Sequence, residues 1–275
     1  MLTLTLTILT RIFSNSYLNV CQKVLTNKGE FPSVINFYTY LGLTLIGVLI
    51  CPTPIFSIEI LHNLFIMGLL GALGNYFIIK ALSTGELSTL APINSYKPII
   101  ALIFGIFLLN EIPNFIQLLG IALIIGGTFI LNSNKILYSK STLYRFLALI
   151  FSGTEAIFIK KIILSSNLES SFLYWALSSL IFTTFFALTS KHKFKIKKEN
   201  INIQILLIAL VAIMQYSTNY VFSKINVAYA LALFQLSTVV SIFLGVNIFK
   251  ESGLIKKLVA STIMIIGATI IILTH

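Results

Sequence analysis

The segment LIFGIFLLNE (102–111) recurs as IFLGVNIFKE (242–251), 140 residues further along the chain. Closer to the N-terminus, IFSNS (12–16) recurs as IFSGT (150–154) in a similar register. The second half of the chain therefore repeats the first. Internal repeats of this kind indicate one structural unit used twice, and they decide the fold before any single residue does.

Long apolar segments fill both copies of the repeat. Hydrophobic residues make up 57% of the 275, charged residues only 10%, and the mean hydropathy is +0.97. A helix needs ~20 mostly apolar residues to span ~30 Å of hydrocarbon. We therefore predict an all-α membrane protein with ten transmembrane helices and short connections, over residues 2–22, 33–51, 60–80, 87–109, 113–132, 143–163, 170–190, 201–222, 226–248 and 254–273.

The number of helices in each copy determines its orientation. Five is odd, so the second copy enters the membrane from the opposite side. The sequence thus predicts two inverted five-helix repeats, residues 1–137 and 138–275, an arrangement in which secondary transporters place one central site between two gates. Most basic residues lie between spans, on the side opposite the termini, which predicts termini that face away from the cytoplasm.

The residues from 85 to 131 contain a small-residue stretch, helix prolines, a glutamate between two spans and a glycine-rich final span: GELSTLAPINSYKPIIALIFGIFLLNEIPNFIQLLGIALIIGGTFIL. This pattern resembles the EamA-type repeat of the drug/metabolite transporter superfamily. The second half resembles it less closely, with Thr238 in place of a proline and Lys250 in place of a glycine. The resemblance implies a two-repeat fold and transport of metabolites. It also implies cytoplasmic termini, so both orientations stay open.

Polar residues occupy one face of the first predicted span. Arg11, Asn15, Asn19 and Gln22 fall together at about 100° per residue. A polar stripe on a membrane helix must face protein or a water-filled cavity. We expect Arg11, Asn15 and Asn19 to contact substrate, and interhelical hydrogen bonding alone is the alternative.

The fourth predicted span combines polar groups with two prolines. Asn94 and Lys97 are candidate substrate contacts, because a charge at mid-membrane depth is costly without a partner or a function. Lys97 would suit an anionic or zwitterionic group. Pro92 and Pro98 each remove a backbone donor, so we expect a loosened helix that takes part in gating. A kink that serves packing alone is the alternative.

Glu155 is the carboxylate that the predicted spans place deepest in the membrane. Burial favours the protonated form of a carboxylate and a nearby cation favours the ionised form, so Glu155 is a candidate for carrying a coupling proton. A static ion pair with Arg11 or Lys97 is the alternative. One acid cannot neutralise two bases, which favours an anionic or carboxylated ligand.

The eighth and ninth predicted spans add further polar side chains. Gln215, Tyr216, Asn219 and Gln235 are predicted to hydrogen-bond a polar ligand between the repeats. In contrast, Glu111 and Glu251 each precede a span. A carboxylate there can accept hydrogen bonds from the unpaired amides at the start of the helix. We predict that these two glutamates begin helices and do not bind substrate.

Several other functions find no support in the sequence. It contains no GxxxxGK[ST] phosphate loop, which argues against ATP-driven transport within this chain. It shows neither paired acids nor a histidine–acid or metal-ligand motif, so we predict no catalytic residues, no metal site, no cofactor and no enzyme activity. The net charge of +11 comes mainly from loops between spans, so we do not expect a nucleic-acid partner.

Together these patterns predict a secondary transporter of small polar metabolites, such as amino acids or related carboxylated or zwitterionic compounds. We expect it to work by alternating access, with proton coupling as an option, as a multi-pass protein of the cell (inner or plasma) membrane. Its partners would be a small-molecule substrate and the lipid bilayer, and it would be a monomer or homodimer. The alternatives are a membrane enzyme acting on lipid-linked substrates and a scaffold subunit that does not transport.

Overall fold

The computed structural model describes residues 2–97, 99–100, 114–131, 139–189, 195–225 and 227–273. Within these ranges every regular element is a helix. Short 3₁₀ turns cover Ile58–Ile60, Ala91–Tyr96 and Lys198–Asn200. The α-helices are α1 (Leu2–Asn27), α2 (Pro32–Ile50), α3 (Leu61–Thr84), α4 (Leu87–Leu90), α5 (Phe115–Leu131), α6 (Lys140–Ser165), α7 (Leu168–Leu188), α8 (Ile201–Lys224), α9 (Val227–Phe234), α10 (Ser237–Phe249) and α11 (Leu254–Leu273).

Helix ends coincide with the polar breaks in the sequence. The side chain of Asn167 accepts a 2.8 Å hydrogen bond from the amide of Ser170 and so caps the start of α7. Ser139 does the same for α6, accepting from the amide of Thr142 at 3.2 Å. After α1, Gly29 adopts a φ of 80°, a left-handed conformation that residues with a Cβ rarely adopt. The predicted all-helical fold class is confirmed.

The outer surface of the bundle is apolar. In the described ranges, four segments are long and apolar enough to cross a membrane: α2, α3, α7 and the stretch Lys198–Lys224 that contains α8. Large apolar side chains project outward from these helices, for example Leu49 (82% exposed) and Leu188 (74% exposed). A soluble protein would not expose such a surface, whereas hydrocarbon covers it without cost.

The most extensive helix pairs each join one half of the chain to the other. α3 packs along α6, α5 along α11, α1 along α8 and α2 along α7. In terms of the ten predicted spans, these pairs are three–six, five–ten, one–eight and two–seven. Exchanging each span for its counterpart in the other half converts three–six into eight–one and leaves the other two pairs unchanged. The helix contacts therefore have approximate twofold symmetry, and the two halves are interleaved.

Two of the predicted spans are interrupted. The fourth begins as the single turn α4, tightens into the 3₁₀ turn Ala91–Tyr96 with Pro92 in its first turn, and is helical again at residue 97. Pro92 accounts for this break, because a proline cannot donate the helical hydrogen bond. Pro98 and residues 101–113 lie outside the described residues.

The second interruption corrects the prediction of one continuous helix over 226–248. α9 ends at Phe234 and α10 begins at Ser237. The amide of Thr238 donates to the carbonyl of Gln235 at 2.8 Å, a 3₁₀-type bond. The Ser237 hydroxyl donates to the carbonyl of Phe234 at 2.7 Å. These bonds explain how the helix can break without a proline, because they satisfy backbone groups that the α-helix would otherwise use.

Glycine permits the close approach of α3 and α7. At Gly68 an added Cβ would lie 2.6 Å from the carbonyl carbon of Ser178, closer than real Cβ contacts come. We expect Gly68→Ala to push the two helices apart and to lower the free energy of unfolding by about 1–3 kcal/mol. The control is Gly126→Ala, since a Cβ there meets nothing within 4 Å. Equal melting temperatures of the two purified variants in detergent would contradict the close packing.

Candidate functional site

A cavity of about 120 Å³ lies between the two halves of the chain. One water requires about 10–15 Å³ measured in this way, so the cavity can hold several waters or a small metabolite. Its aromatic and aliphatic lining includes Leu18, Tyr40, Ile159, Trp175, Val211, Met214, Phe222 and Phe234. Its polar lining is Arg11, Asn15, Asn19, Asn75, Asn94, Lys97, Arg145, Ser152, Glu155, Gln215, Thr218, Gln235 and Ser237.

The polar stripe of α1 forms one wall of the cavity. The guanidinium of Arg11 lies over the ring of Phe234, 4.0 Å from its centroid, and its Nε donates to the Thr218 hydroxyl at 3.4 Å. Asn15 Nδ2 donates to the Ser237 hydroxyl at 3.2 Å, while Asn19 Nδ2 bonds back to the carbonyl of Asn15 at 2.8 Å. The structure therefore brings together the three α1 residues predicted to contact substrate.

Both interrupted helices contribute to the cavity at their breaks. Asn94 and Lys97 come from the first interruption, and Gln235 and Ser237 from the second. Among the described residues, no hydrogen bond or salt bridge holds the Lys97 ammonium group, whose electrostatic neighbours are Arg11, Arg145 and Glu155. Discontinuous helices at the centre of a membrane protein typically expose backbone and side-chain groups to a bound solute.

Glu155 is buried in the cavity wall on α6. Its Oε1 accepts a 2.5 Å hydrogen bond from the indole Nε1 of Trp175, whose ring meets Tyr40 edge-on at 5.1 Å between centroids. Gly71 on α3 makes room for the carboxylate, because a Cβ there would collide with Glu155 Oε1. In the part of the chain that the structure describes, no salt bridge joins Glu155 to Arg11 or Lys97, so the direct ion pair considered as the alternative is not formed.

Arg145 belongs to the cavity although its role was not predicted. At the start of the predicted span 143–163, Arg145 was counted with the basic residues of the side opposite the termini, but α6 begins at Lys140, so Arg145 lies further inside the helix and is buried. Its Nη2 donates to Asn94 Oδ1 at 2.6 Å and its Nε to the carbonyl of Leu90 at 3.3 Å. Arg145, Ser152 and Ala156 lie on one face of the helix, and this spacing could have predicted that Arg145 lines the cavity.

Tyr216 and Asn219 were predicted to bind substrate, but they are not among the described residues that line the cavity. Tyr216 donates its hydroxyl to Glu169 Oε1 at 3.0 Å and packs against Phe172 on α7. Successive helix residues differ by about 100°, so the position of Gln215 in the cavity turns Tyr216 away. Asn219 lies one turn beyond Gln215 and supports it, accepting from Gln215 Nε2 at 2.8 Å. Pro92 is buried in the 3₁₀ turn, close in sequence to Asn94.

A second polar cluster ties the two halves together where α1 ends. The buried carboxylate of Glu251 accepts from Lys23 Nζ at 2.5 Å, from the amides of Leu87 and Ser88 at 2.8 Å each, and from the Ser88 hydroxyl. Lys23 also donates to the carbonyl of Gly85 at 3.1 Å. The sequence predicted that Glu251 begins the helix following it; the amides it binds instead begin α4, in the other half.

The stability contributed by Glu251 should depend on pH. Burial would raise the pKa of this carboxyl, but the hydrogen bonds from Lys23 and Ser88 outweigh burial and hold its pKa below the ordinary value. Such a group stabilises the fold above its unfolded pKa of about 4.3 and loses this contribution as pH falls through its folded pKa. At pH values below about 4 we expect the melting temperature to decrease, and to decrease less steeply in Glu251→Gln than in the wild type. Identical pH profiles would contradict this role.

An apolar helical bundle with interleaved halves and a polar cavity between interrupted helices is typical of multi-pass membrane transporters. The model of the EamA-like transporter family matches residues 2–133 and again residues 139–273. The chain therefore belongs to the EamA-like transporter family, within the drug/metabolite transporter superfamily, and the resemblance read from the sequence is confirmed. The family's members are generally transporters and not enzymes.

A solved structure described as "Crystal structure of protein" has the same fold. It matches 99% of this chain and 98% of its own with a TM-score of 0.70, at 16% sequence identity. At that identity the match concerns the fold alone. No curated protein matches the sequence.

Proposed function

We propose that this protein is a secondary transporter that moves small polar metabolites by alternating access through the cavity between its halves. The observation that carries this proposal is the convergence of charged and amide side chains from both halves on one buried cavity. In a bilayer such groups are costly unless they meet water or a solute, so their concentration in one place favours a solute path.

The proposed topology is ten membrane helices in two inverted repeats, residues 1–137 and 138–275. The approximate twofold symmetry of the helix pairs supports this assignment, as do the interruptions in spans four and nine, which are counterparts in the two copies. Two inverted copies can exchange conformations, and this exchange opens a central site to either side in turn.

Substrate recognition is assigned to Arg11, Asn15, Asn19, Asn94, Lys97, Gln215 and Gln235, which line the cavity. Amino acids or related carboxylated and zwitterionic compounds suit this lining, since the cations and amide N–H groups donate to carboxylates and the amide oxygens accept from ammonium groups. Glu155 is the proposed proton carrier, because it is buried, bonded to an indole and near Lys97. The interrupted segment around Pro92 is the proposed gating element, together with Pro98, which lies outside the described residues.

The proposed location is the inner or plasma membrane, and the proposed state is a monomer or homodimer with a small-molecule substrate and without a nucleic-acid partner. Its apolar exterior supports residence in a bilayer.

Reconstitution tests this function directly. Proteoliposomes should take up one or more compounds from a pooled panel of amino acids and organic acids, with and without a pH gradient. Uptake should persist in Lys198→Gln, an exposed position, and fall to the level of empty liposomes in Arg11→Gln. If no compound is taken up either with or without the pH gradient, or if Arg11→Gln transports as well as wild type, the proposed function is wrong.

A further inference from the structure

The charges of the cavity do not balance. Among the described residues that line it, the cations are Arg11, Lys97 and Arg145, and the carboxylate is Glu155. With all four groups ionised, the lining carries a net charge of two positive units. Arg11 and Lys97 belong to the first half, and Arg145 and Glu155 to the second, so charged groups of both halves meet in one cavity.

Nothing else in the described part of the chain neutralises this excess. Arg11 contacts a hydroxyl and an aromatic ring, while Arg145 donates to an amide and a carbonyl, all neutral groups. The carboxylate of Glu155 is held by Trp175. The salt bridges in the described ranges lie elsewhere, between Lys23 and Glu251 and between Lys257 and Glu86.

We infer that the substrate is a small dianion, with two carboxylates or one phosphate monoester; this inference rests on the proposed function. Buried charge is stable only when paired, so a cavity whose lining has two excess positive charges favours a ligand that brings two negative charges. A zwitterion brings none in net and leaves the imbalance in place.

The remaining donors match this chemistry. A guanidinium has five N–H groups. Arg11 uses its Nε, and Arg145 uses its Nε and one donor of Nη2, so both retain N–H groups for a bidentate contact with carboxylate or phosphate oxygens. Lys97 adds a third cation to the same cavity and interacts electrostatically with both arginines. The volume of about 120 Å³ restricts the ligand to a small one.

Ligand-induced thermal stabilisation of the purified protein in detergent tests the inference without requiring transport. Succinate is compared with butyrate, glycerol 3-phosphate with glycerol, and glutamine serves as the zwitterion. We expect at least one dianion to bind about tenfold or more tightly than its matched compound, because a second charge-assisted contact is gained. The two matched pairs distinguish a dicarboxylate from a phosphate monoester.

Variants identify the groups responsible. Lys97→Gln and Arg145→Gln should each reduce the preference for the dianion by about tenfold, whereas Lys198→Gln should leave it unchanged. Lys97→Gln is the safer variant, because no contact of that ammonium within the described residues contributes to packing. The inference is overturned if no dianion binds, if butyrate or glutamine binds as tightly, or if neither cavity variant alters the preference.

Flux separates this inference from the proposed function. Dianion binding without flux in proteoliposomes would contradict the transporter and support the dianion site. Flux of glutamine without dianion binding would support the transporter and overturn the dianion site.

Discussion

Glu155→Gln should reduce uptake driven by a pH gradient to background while leaving the protein folded. Glutamine keeps an oxygen that can accept the bond from Trp175 Nε1, but it can neither carry a negative charge nor exchange a proton. Substrate exchange without a gradient should continue, because exchange requires no net proton movement. The measurement is uptake into proteoliposomes with an imposed pH gradient, beside counterflow at equal pH.

The matched control is Glu169→Gln. Glu169 accepts from the Tyr216 hydroxyl on α8 and does not line the cavity, so its loss should leave both activities near wild type. Gradient-driven uptake that survives in Glu155→Gln would exclude Glu155 as the proton carrier. A variant that no longer elutes as a monodisperse peak would indicate a structural role instead.

Glu251→Ala should cause a large loss of stability. The substitution leaves Lys23 buried without its partner and removes the acceptor of two amides at the start of α4. Breaking a buried charge pair by removing one partner typically costs about 3–5 kcal/mol. Equilibrium unfolding in mixed micelles, or the melting temperature in detergent, measures the effect.

The comparison variant is Glu86→Ala, which breaks the salt bridge from Lys257 at 2.7 Å. The Glu86 side chain is 51% exposed and Lys257 keeps its 2.6 Å hydrogen bond to the Ser88 hydroxyl, so this loss should be smaller than that of Glu251→Ala. Adding Lys23→Met to Glu251→Ala should recover part of the loss, since it removes the unpaired charge. Equal losses in the two single variants would contradict the role of Glu251 in joining the halves.

The fold could be predicted from sequence because a bilayer imposes simple rules. Apolar length predicted the helical membrane class, and the repeat around LIFGIFLLNE predicted the family. The same rules located much of the cavity: a charge at mid-depth must face the interior, and this placed Arg11, Lys97 and Glu155 together. The α1 stripe followed from helical periodicity alone.

The features that the sequence did not predict depend on contacts between different helices. Arg145, near the start of the predicted span 143–163, was not predicted to face the cavity, because its acceptors, Asn94 and the carbonyl of Leu90, lie about fifty positions earlier in the chain. The ion pair considered as the alternative role of Glu155 is replaced by a hydrogen bond from the indole of Trp175, on a different helix. Glu251 binds the start of α4 for the same reason. Local periodicity predicts which face is polar, but not which partner it meets.

The break between α9 and α10 had no local signal either. Pro92 predicts the interruption in the first half. In the second half the helix breaks at Gln235 and Ser237, residues of ordinary helical propensity. Its bonds to Asn15 and Ser16 on α1 are long-range contacts, at 3.2 Å and 2.9 Å from Ser237. The number of membrane crossings and the orientation of the termini remain predictions.

Cysteine accessibility tests the central claim that one cavity opens to both sides of the membrane. In a variant without the buried Cys21 and Cys51, Ser152→Cys places a thiol in the cavity wall, and Leu177→Cys places one on the lipid-facing surface as a control. A charged, membrane-impermeant thiol reagent should label Ser152→Cys when applied from either side of sealed vesicles, and should not label Leu177→Cys. Labelling of Ser152→Cys from one side only, or from neither, would contradict the claim.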